Sequence, residues 1–151
     1  MLDDTDRRLL KALQKDASLT AQELGDHLNL SASQAGRRRQ RLETLGLLTG
    51  TRATVDPGRV GLGVQAFVQV QMASHSDDTA AGFAQLVRAQ EAITAAFTLT
   101  GEADYLLRIW CADLQSLHRI IHGILLPHPA VARVQSQIVM DQMKPDAPLP
   151  L

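Results

Sequence analysis

The chain has 151 residues, 45% apolar and 21% charged, the balance of a globular protein with enough residues for one large domain or two small ones. That composition excludes a disordered or collagenous chain, no apolar run approaches the roughly 18 residues of a membrane span, and the acidic, helix-patterned start MLDDTDRRLLKAL is no secretory signal. The single cysteine, Cys111, excludes an internal disulfide and fits a reducing cytoplasm, while the net charge of −1 speaks against nucleic acid until its distribution is read.

Residues 31–52 carry five arginines (Arg37, Arg38, Arg39, Arg41 and Arg52) against Glu43 alone, whereas residues 57–151 hold six Lys or Arg against eight Asp or Glu. A basic patch inside a nearly neutral chain is a local electrostatic footprint. Around it the chain reads as three helices. The first starts at Asp4 or Thr5 and places Leu9, Leu10 and Leu13 at helical spacing. Thr20 with Glu23 forms a capping box that opens a short second helix with Leu24 and Leu28 inside. Ser31 with Gln34 opens a third, which Gly46 ends as a left-handed C-cap.

Two capped helices joined by the tight link His27-Leu28-Asn29-Leu30 describe a helix-turn-helix, and the second of the pair holds the arginines. Such a helix enters the major groove of duplex DNA with its first turn at base edges and its cations near phosphates. Ser31, Ser33 and Gln34 lie on that first turn, and Arg37, Arg38 and Arg41 follow Gln34 down one side. Residues 47–55 then read as a short β-ribbon, a wing or hinge, closed by Asp56-Pro57-Gly58.

Beyond residue 63 the apolar period changes. Val64 to Met72 alternates apolar residues with Gln65, Gln69 and Gln71, a half-buried strand. Asp77 or Asp78 caps a helix with Phe83, Leu86 and Val87 inside. Ile93 to Thr100 is a second strand, with Ile93, Ala95, Phe97 and Leu99 on one face, and Gly101-Glu102-Ala103 a tight turn. Asp104 to Cys111 is a third strand. Asp113 caps a helix on which Leu114, Leu117, Ile121 and Ile124 repeat until Pro127, and Val131 to Met140 is the fourth strand. The order βαββαβ is the ferredoxin-like motif, an antiparallel sheet with two helices on one face. Phe67, among glutamines on the other face, suggests that this face meets a second copy of the chain. The resulting division is a DNA-binding domain over 1–50, a hinge over 51–63, a ferredoxin-like effector-binding and oligomerisation domain over 64–143, and an irregular tail over 144–151.

Catalytic signatures are missing from the sequence. His118 and His122 stand four apart, a spacing open to metals, but neither a metalloprotease glutamate nor a neighbouring sulfur accompanies them. Cys111 has no evident base, and there is no phosphate-cradling glycine loop. The expectation is therefore not an enzyme, with no cofactor and no metal. Two classes remain: a DNA-binding regulator that responds to a small effector, or a ligand- or partner-binding regulatory module without DNA binding.

The residues resemble the Lrp/AsnC family, the leucine-responsive and asparagine-responsive (feast/famine) regulators, over nearly the whole chain. The resemblance rests on Asp3-x-x-Asp6-x-x-Leu9-Leu10, Leu30-Ser31-x-Ser33, Arg41-Leu42-Glu43-x-x-Gly46, Asp56-Pro57 and Gly101-Glu102-Ala103-Asp104-Tyr105-Leu106-Leu107. It implies an α+β chain, with an N-terminal winged helix-turn-helix and a C-terminal ferredoxin-like, RAM-type domain that senses an amino acid. It also implies assembly as dimers and often as octamers, and a place in the cytoplasm of a bacterium or archaeon, on the nucleoid. Ala35 and Arg39 stand where the family usually has Val or Ile on the inner face of the recognition helix, so the Arg39 stem must lie along the core and its head must reach outward. Glu102 stands where the family's loop has aspartate. Within that loop, Gly101 permits close backbone approach and Glu102 and Asp104 suit an ammonium group. Thr98, Thr100 and Tyr105 flank it and complete the expected effector set.

Overall fold

The computed structural model describes residues 2–74 and 76–151, apart from the side chain of Asp77. The chain divides into two compact units, Met1–Thr54 with Met143–Leu151, and Val55–Gln142.

In the first unit the helices are α1 (Asp4–Lys15), α2 (Ala21–Leu28) and α3 (Ala32–Thr44). Each opens with a reciprocal capping box, Asp3 with Asp6, Thr20 with Glu23 and Ser31 with Gln34, so the orphan amides of each first turn are satisfied by side chains. Leu9, Leu10, Leu13, Leu24, Leu28, Ala35 and Leu42 pack as one core. The turn between α2 and α3 is made by Asn29 at φ 56°, which lets the Leu30 amide donate to the Gly25 carbonyl at 2.9 Å. A Cβ on Gly25 would sit 2.6 Å from the Leu30 carbonyl oxygen, so only glycine permits this approach. At the far end of α3, the Leu47 amide donates to Leu42 at 2.9 Å and the Gly46 amide to Glu43 at 3.0 Å, a Schellman closure with Gly46 at φ 68°.

Two expectations change here. The β-ribbon over 47–55 does not form: residues 49–56 have no regular structure, and 51–55 are exposed. Leu47 and Leu48 spend their amides closing α3, and the polar run after them has neither a strand to pair with nor an apolar face to bury. In place of the expected wing, residues 49–56 form an irregular connection, without sheet pairing among the described residues. The tail is irregular, as its prolines suggest, yet it belongs to the first unit. Gln14 and Leu149 bond reciprocally, side-chain Nε2 to carbonyl at 3.3 Å and amide to Oε1 at 2.6 Å, while Leu151 packs on the helical core.

The second unit is a four-stranded antiparallel sheet of β1 (Val64–Met72), β2 (Ile93–Thr98), β3 (Tyr105–Cys111) and β4 (Val131–Ile138) in the order β2-β3-β1-β4. Helices α4 (Asp77–Ala89) and α5 (Leu114–Ile120) bury Phe83, Leu117 and Ile120 against Ala66, Val68, Val70, Leu107 and Ile109 on one sheet face. The other face holds Phe67 between Arg108 and Gln137. No helix among the described residues is long and apolar enough to cross a membrane.

Three local readings need correction. Ser76, whose hydroxyl accepts from the Thr79 amide, caps α4, in place of Asp77 or Asp78; the Asp77 side chain lies outside the described residues. Strand β2 does not keep Ile93, Ala95, Phe97 and Leu99 on one face. A register shift between Ile93 and Ala95 leaves Ile93 opposite Ile109 on the core side, then sends Ala96 and Thr98 to that side and Phe97 to the other. Finally, α5 passes at Ile121–Leu125 into a π turn, whose extra residue sets Leu125 into the core with Leu117 and Ile120, while Leu114, on the first turn of α5, is exposed. Strands β2 and β4 also end two residues earlier than their alternation suggests, because the Leu99 amide turns back to Asp104 and the Val139 amide makes the last bond to β1.

Candidate nucleic-acid interface and effector turn

The outer surface of α3 begins with the cap. Ser31 Oγ accepts from the Gln34 amide at 3.3 Å, and Gln34 Oε1 accepts from the Ser31 amide at 3.0 Å. Ser33 Oγ lies 3.1 Å from Ser31 Oγ. The three expected base readers are therefore together and exposed, but the Gln34 carboxamide oxygen is held by the cap. A bidentate grip on adenine, which uses both amide atoms, requires that the cap open. One turn on, exposed Arg37 donates, among the described residues, only to the Ser33 carbonyl, at 3.4 Å.

Arg38 and Arg41 differ from Arg37. Arg38 Nη1 donates to Asp3 Oδ2 at 2.7 Å and to Asp6 Oδ1 at 2.8 Å, and Arg41 Nη2 to Asp6 Oδ2. Asp6 is fully buried. Burial by itself raises its pKa, yet hydrogen bonds from Arg41, the Asp3 amide and Arg38 outweigh that and hold the carboxyl below its ordinary value. The Arg38 hydrogen bond likewise lowers Asp3, and the two carboxylates raise Arg38. These two arginines thus brace α3 against α1 while their half-exposed heads still line a hollow of about 450 Å³ with Gln34 and Arg37. Arg39 reaches out from beside Ala35 as its position demands, bonding Glu43 at 3.0 Å and the Leu19 carbonyl at 3.4 Å. Asp3 and Asp6, which carry this brace, are not among the site residues the sequence predicts; their trace in it is two acids three apart at the head of α1 against the arginines of α3.

In the second unit the effector set separates into two places. Gly101, at φ 115°, turns the chain and projects Glu102, whose carboxylate lies 3.9 Å from Arg133. Glu102 and Arg133 line a shallow hollow of about 40 Å³ on the open sheet face with Gln69, Gln71 and Gln135, none of which the motif reading selected apart from Glu102. The alternation of glutamines along β1 is their trace in the sequence. Thr98 and Tyr105 point to the other side, where they line a hollow of about 370 Å³ beside Phe83 and Val87. Thr100 stands exposed on the turn. Asp104 is engaged internally: Oδ2 accepts from the Met72 amide at 2.7 Å and its own amide donates to Val70 at 3.0 Å, tying the turn to β1.

Cys111 is buried, and desolvation raises its thiol pKa, which makes it a poor nucleophile. His118 and His122 contact each other with ring centroids 4.3 Å apart, and no group of three or more metal-ligating side chains occurs among the described residues.

Comparison with known proteins places this geometry. Residues 2–43 match the family model of the AsnC-type helix-turn-helix domain, and residues 65–149 that of the Lrp/AsnC ligand binding domain. The chain is 34% identical to the DNA-binding transcriptional activator DecR of Escherichia coli K12, over 100% of this chain and 99% of that one. It is 33% identical to the glutamate uptake regulatory protein of Zymomonas mobilis, over 99% and 91%. A transcriptional regulator from Neisseria meningitidis, solved as an L-Met complex, superposes with a TM-score of 0.95 at 35% identity, covering 99% of this chain and 97% of that one. An AsnC family regulator from Agrobacterium tumefaciens gives a TM-score of 0.92 at 29% identity, with 99% and 97% covered. Of the two classes left open by the sequence, the regulator is the one these findings select. The chain belongs to the Lrp/AsnC family of DNA-binding transcriptional regulators, which join an AsnC-type helix-turn-helix to a ligand-binding domain.

Proposed function

We propose that the chain acts in the cytoplasm as a two-fold dimer that reads duplex DNA through α3 and adjusts its assembly or DNA affinity to an amino acid held at the turn over 99–104. Ser33 and Gln34 contact base edges, and Arg37 contacts phosphate, with Arg38 and Arg41 contributing charge from their braced positions. The sheet face around Phe67 joins the two copies, since a palindromic site needs paired helices and that face is otherwise open.

The observation that carries the effector reading is the pairing of Glu102 with Arg133 on the rim of a glutamine-lined hollow. A free amino acid presents an ammonium and a carboxylate on one carbon. Glu102 offers an acceptor for the first, Arg133 a fork for the second, and Gln69, Gln71 and Gln135 can bond either. The bound L-Met of the Neisseria relative is in keeping with this ligand class. Where dimers meet at this turn, a ligand that binds one assembly better shifts the population toward it, by no more than its difference in affinity.

A thermal-shift screen against the twenty amino acids, followed by anisotropy titration of the DNA upstream of its own gene with and without the best ligand, tests the reading. The expected result is a raised melting temperature for a small subset of amino acids and a changed operator affinity in their presence. No stabilisation by any of them, together with indifferent DNA binding, contradicts it.

A further inference from the structure

Strand β3 runs past the start of β2: the Trp110 amide makes its bond to Ala92, before β2 begins at Ile93. The sheet edge there is bounded by α5 and its π turn. Between them lies an open groove of about 700 Å³, far larger than the hollow at Glu102. Its walls are Trp110, Ile120 and Ile124, and the π turn brings Gly123 to the surface with nothing within 4 Å of the place a Cβ would take. A π turn costs helical hydrogen bonding and recurs at functional sites. Here its Gly123 and Ile124 line the groove.

The polar groups in the groove are few and differ in sign. Arg119 is its one lining cation among the described residues; Nη2 donates to Ser116 Oγ at 2.8 Å, which orients the guanidinium and leaves its remaining donors for a ligand. Asp113, at the head of the same helix, feels the Arg119 charge, but its carboxylate is engaged as the cap of Ser116. Glu91 lines the opposite wall, from the turn before β2. An apolar concavity with one oriented guanidinium matches a small carboxylic acid with an apolar body, and a carboxylate across the groove disfavours a second negative charge.

We propose that this groove is a small-molecule site, separate from the turn over 99–104, that takes an apolar monocarboxylate with its carboxylate on Arg119 and its body against Trp110 and Ile124. The proposal stands whether or not an amino acid binds at Glu102. Trp110 is the single tryptophan of the chain, so its fluorescence reports occupancy directly.

The full-length protein is titrated with 3-phenylpropionate, its neutral amide and benzylsuccinate, following Trp110 emission. Saturable binding of 3-phenylpropionate is expected. The amide, and the acid on Arg119→Gln, should each bind at least roughly tenfold more weakly, the cost of one charge-assisted contact. Glu91→Gln should narrow the gap between benzylsuccinate and the monoacid. The acid–amide comparison uses the unaltered chain, so it holds even if a variant folds poorly. No saturable change up to the solubility limit, or equal affinity for acid and amide, overturns the proposal.

Discussion

Arg38 Nη1 stands 2.8 Å from Oδ1 of Asp6, a carboxylate with no solvent exposure, and so ties α3 to α1 across 32 residues of sequence. The same carboxylate takes Arg41 on its other oxygen. A basic helix is thereby tied to α1 by Arg38 and Arg41, whereas Arg37 is exposed and bonds, among the described residues, the Ser33 carbonyl of its own helix.

Removing the acid should cost stability first. Asp6→Asn leaves two arginines short of a buried partner, and we expect a loss of about 2 kcal/mol. That is below the range for fully buried pairs, because both guanidinium heads keep partial contact with water. The pH dependence has a definite sign. The folded-state pKa of Asp6 lies below its ordinary value of 3.8, so its contribution is complete above that value and is lost as the pH falls through the folded-state pKa. Urea melts between neutral pH and about pH 3 should show an acid-limb loss in the wild type that is reduced in Asp6→Asn; identical pH profiles would contradict the brace.

Gly25→Ala places a Cβ 2.6 Å from the Leu30 carbonyl, against backbone that has nowhere to go. Destabilisation by about 1–3 kcal/mol is expected, as for other overpacked sites, with the turn between α2 and α3 displaced. DNA affinity should fall more than that of a surface variant of equal stability, such as Gln14→Ala. Retained affinity in a folded Gly25→Ala protein would show that the turn geometry tolerates the shift.

How much of this was legible follows the range of each interaction. The capping boxes at Thr20 and Ser31 and the Gly46 closure are local, a few residues wide, and the sequence pattern places them correctly. The core faces of α1, α2 and β1 follow from period alone. What escaped depends on partners far along the chain. Asp6 meeting Arg38 and Arg41, the register shift after Ile93 against β3, and the docking of Leu149 on Gln14 leave no periodic trace. The π turn at Ile121 escaped for another reason: Leu114, Leu117, Ile121 and Ile124 fit a regular helix equally well. At the turn over 99–104 the motif contains Glu102 but not the other residues that line its hollow, because Arg133 and Gln135 come from β4 and Gln69 and Gln71 from β1.

Glu102 and Asp104 should separate cleanly. Glu102→Gln removes a charge from an exposed position and should abolish the amino-acid response while leaving the melting temperature of the free protein nearly unchanged. Asp104→Ala strips the Met72 amide of its acceptor and should cost about 1–2 kcal/mol of stability, with or without ligand. Calorimetry with the best amino acid, beside thermal melts, checks both; an undiminished ligand affinity in Glu102→Gln would move the site elsewhere.

Phe67→Asp puts a charge at the centre of the open sheet face, between Arg108 and Gln137. If that face joins two copies, light scattering at low micromolar concentration should show a smaller species than the wild type, and operator affinity should drop with it. An unchanged assembly would remove Phe67 from the interface.

If α3 presents Arg37 to phosphate while Arg38 and Arg41 brace the helix and add charge from there, the salt dependence of operator binding reports Arg37. Anisotropy titrations between about 50 and 200 mM salt should give Arg37→Ala a weaker affinity for every sequence and a log–log slope flatter by about one unit per lost phosphate contact per chain. Its melting temperature should match the wild type, since among the described residues Arg37 bonds only the Ser33 carbonyl of its own helix. An Arg37→Ala protein with wild-type affinity and slope would mean that Arg37 makes no phosphate contact.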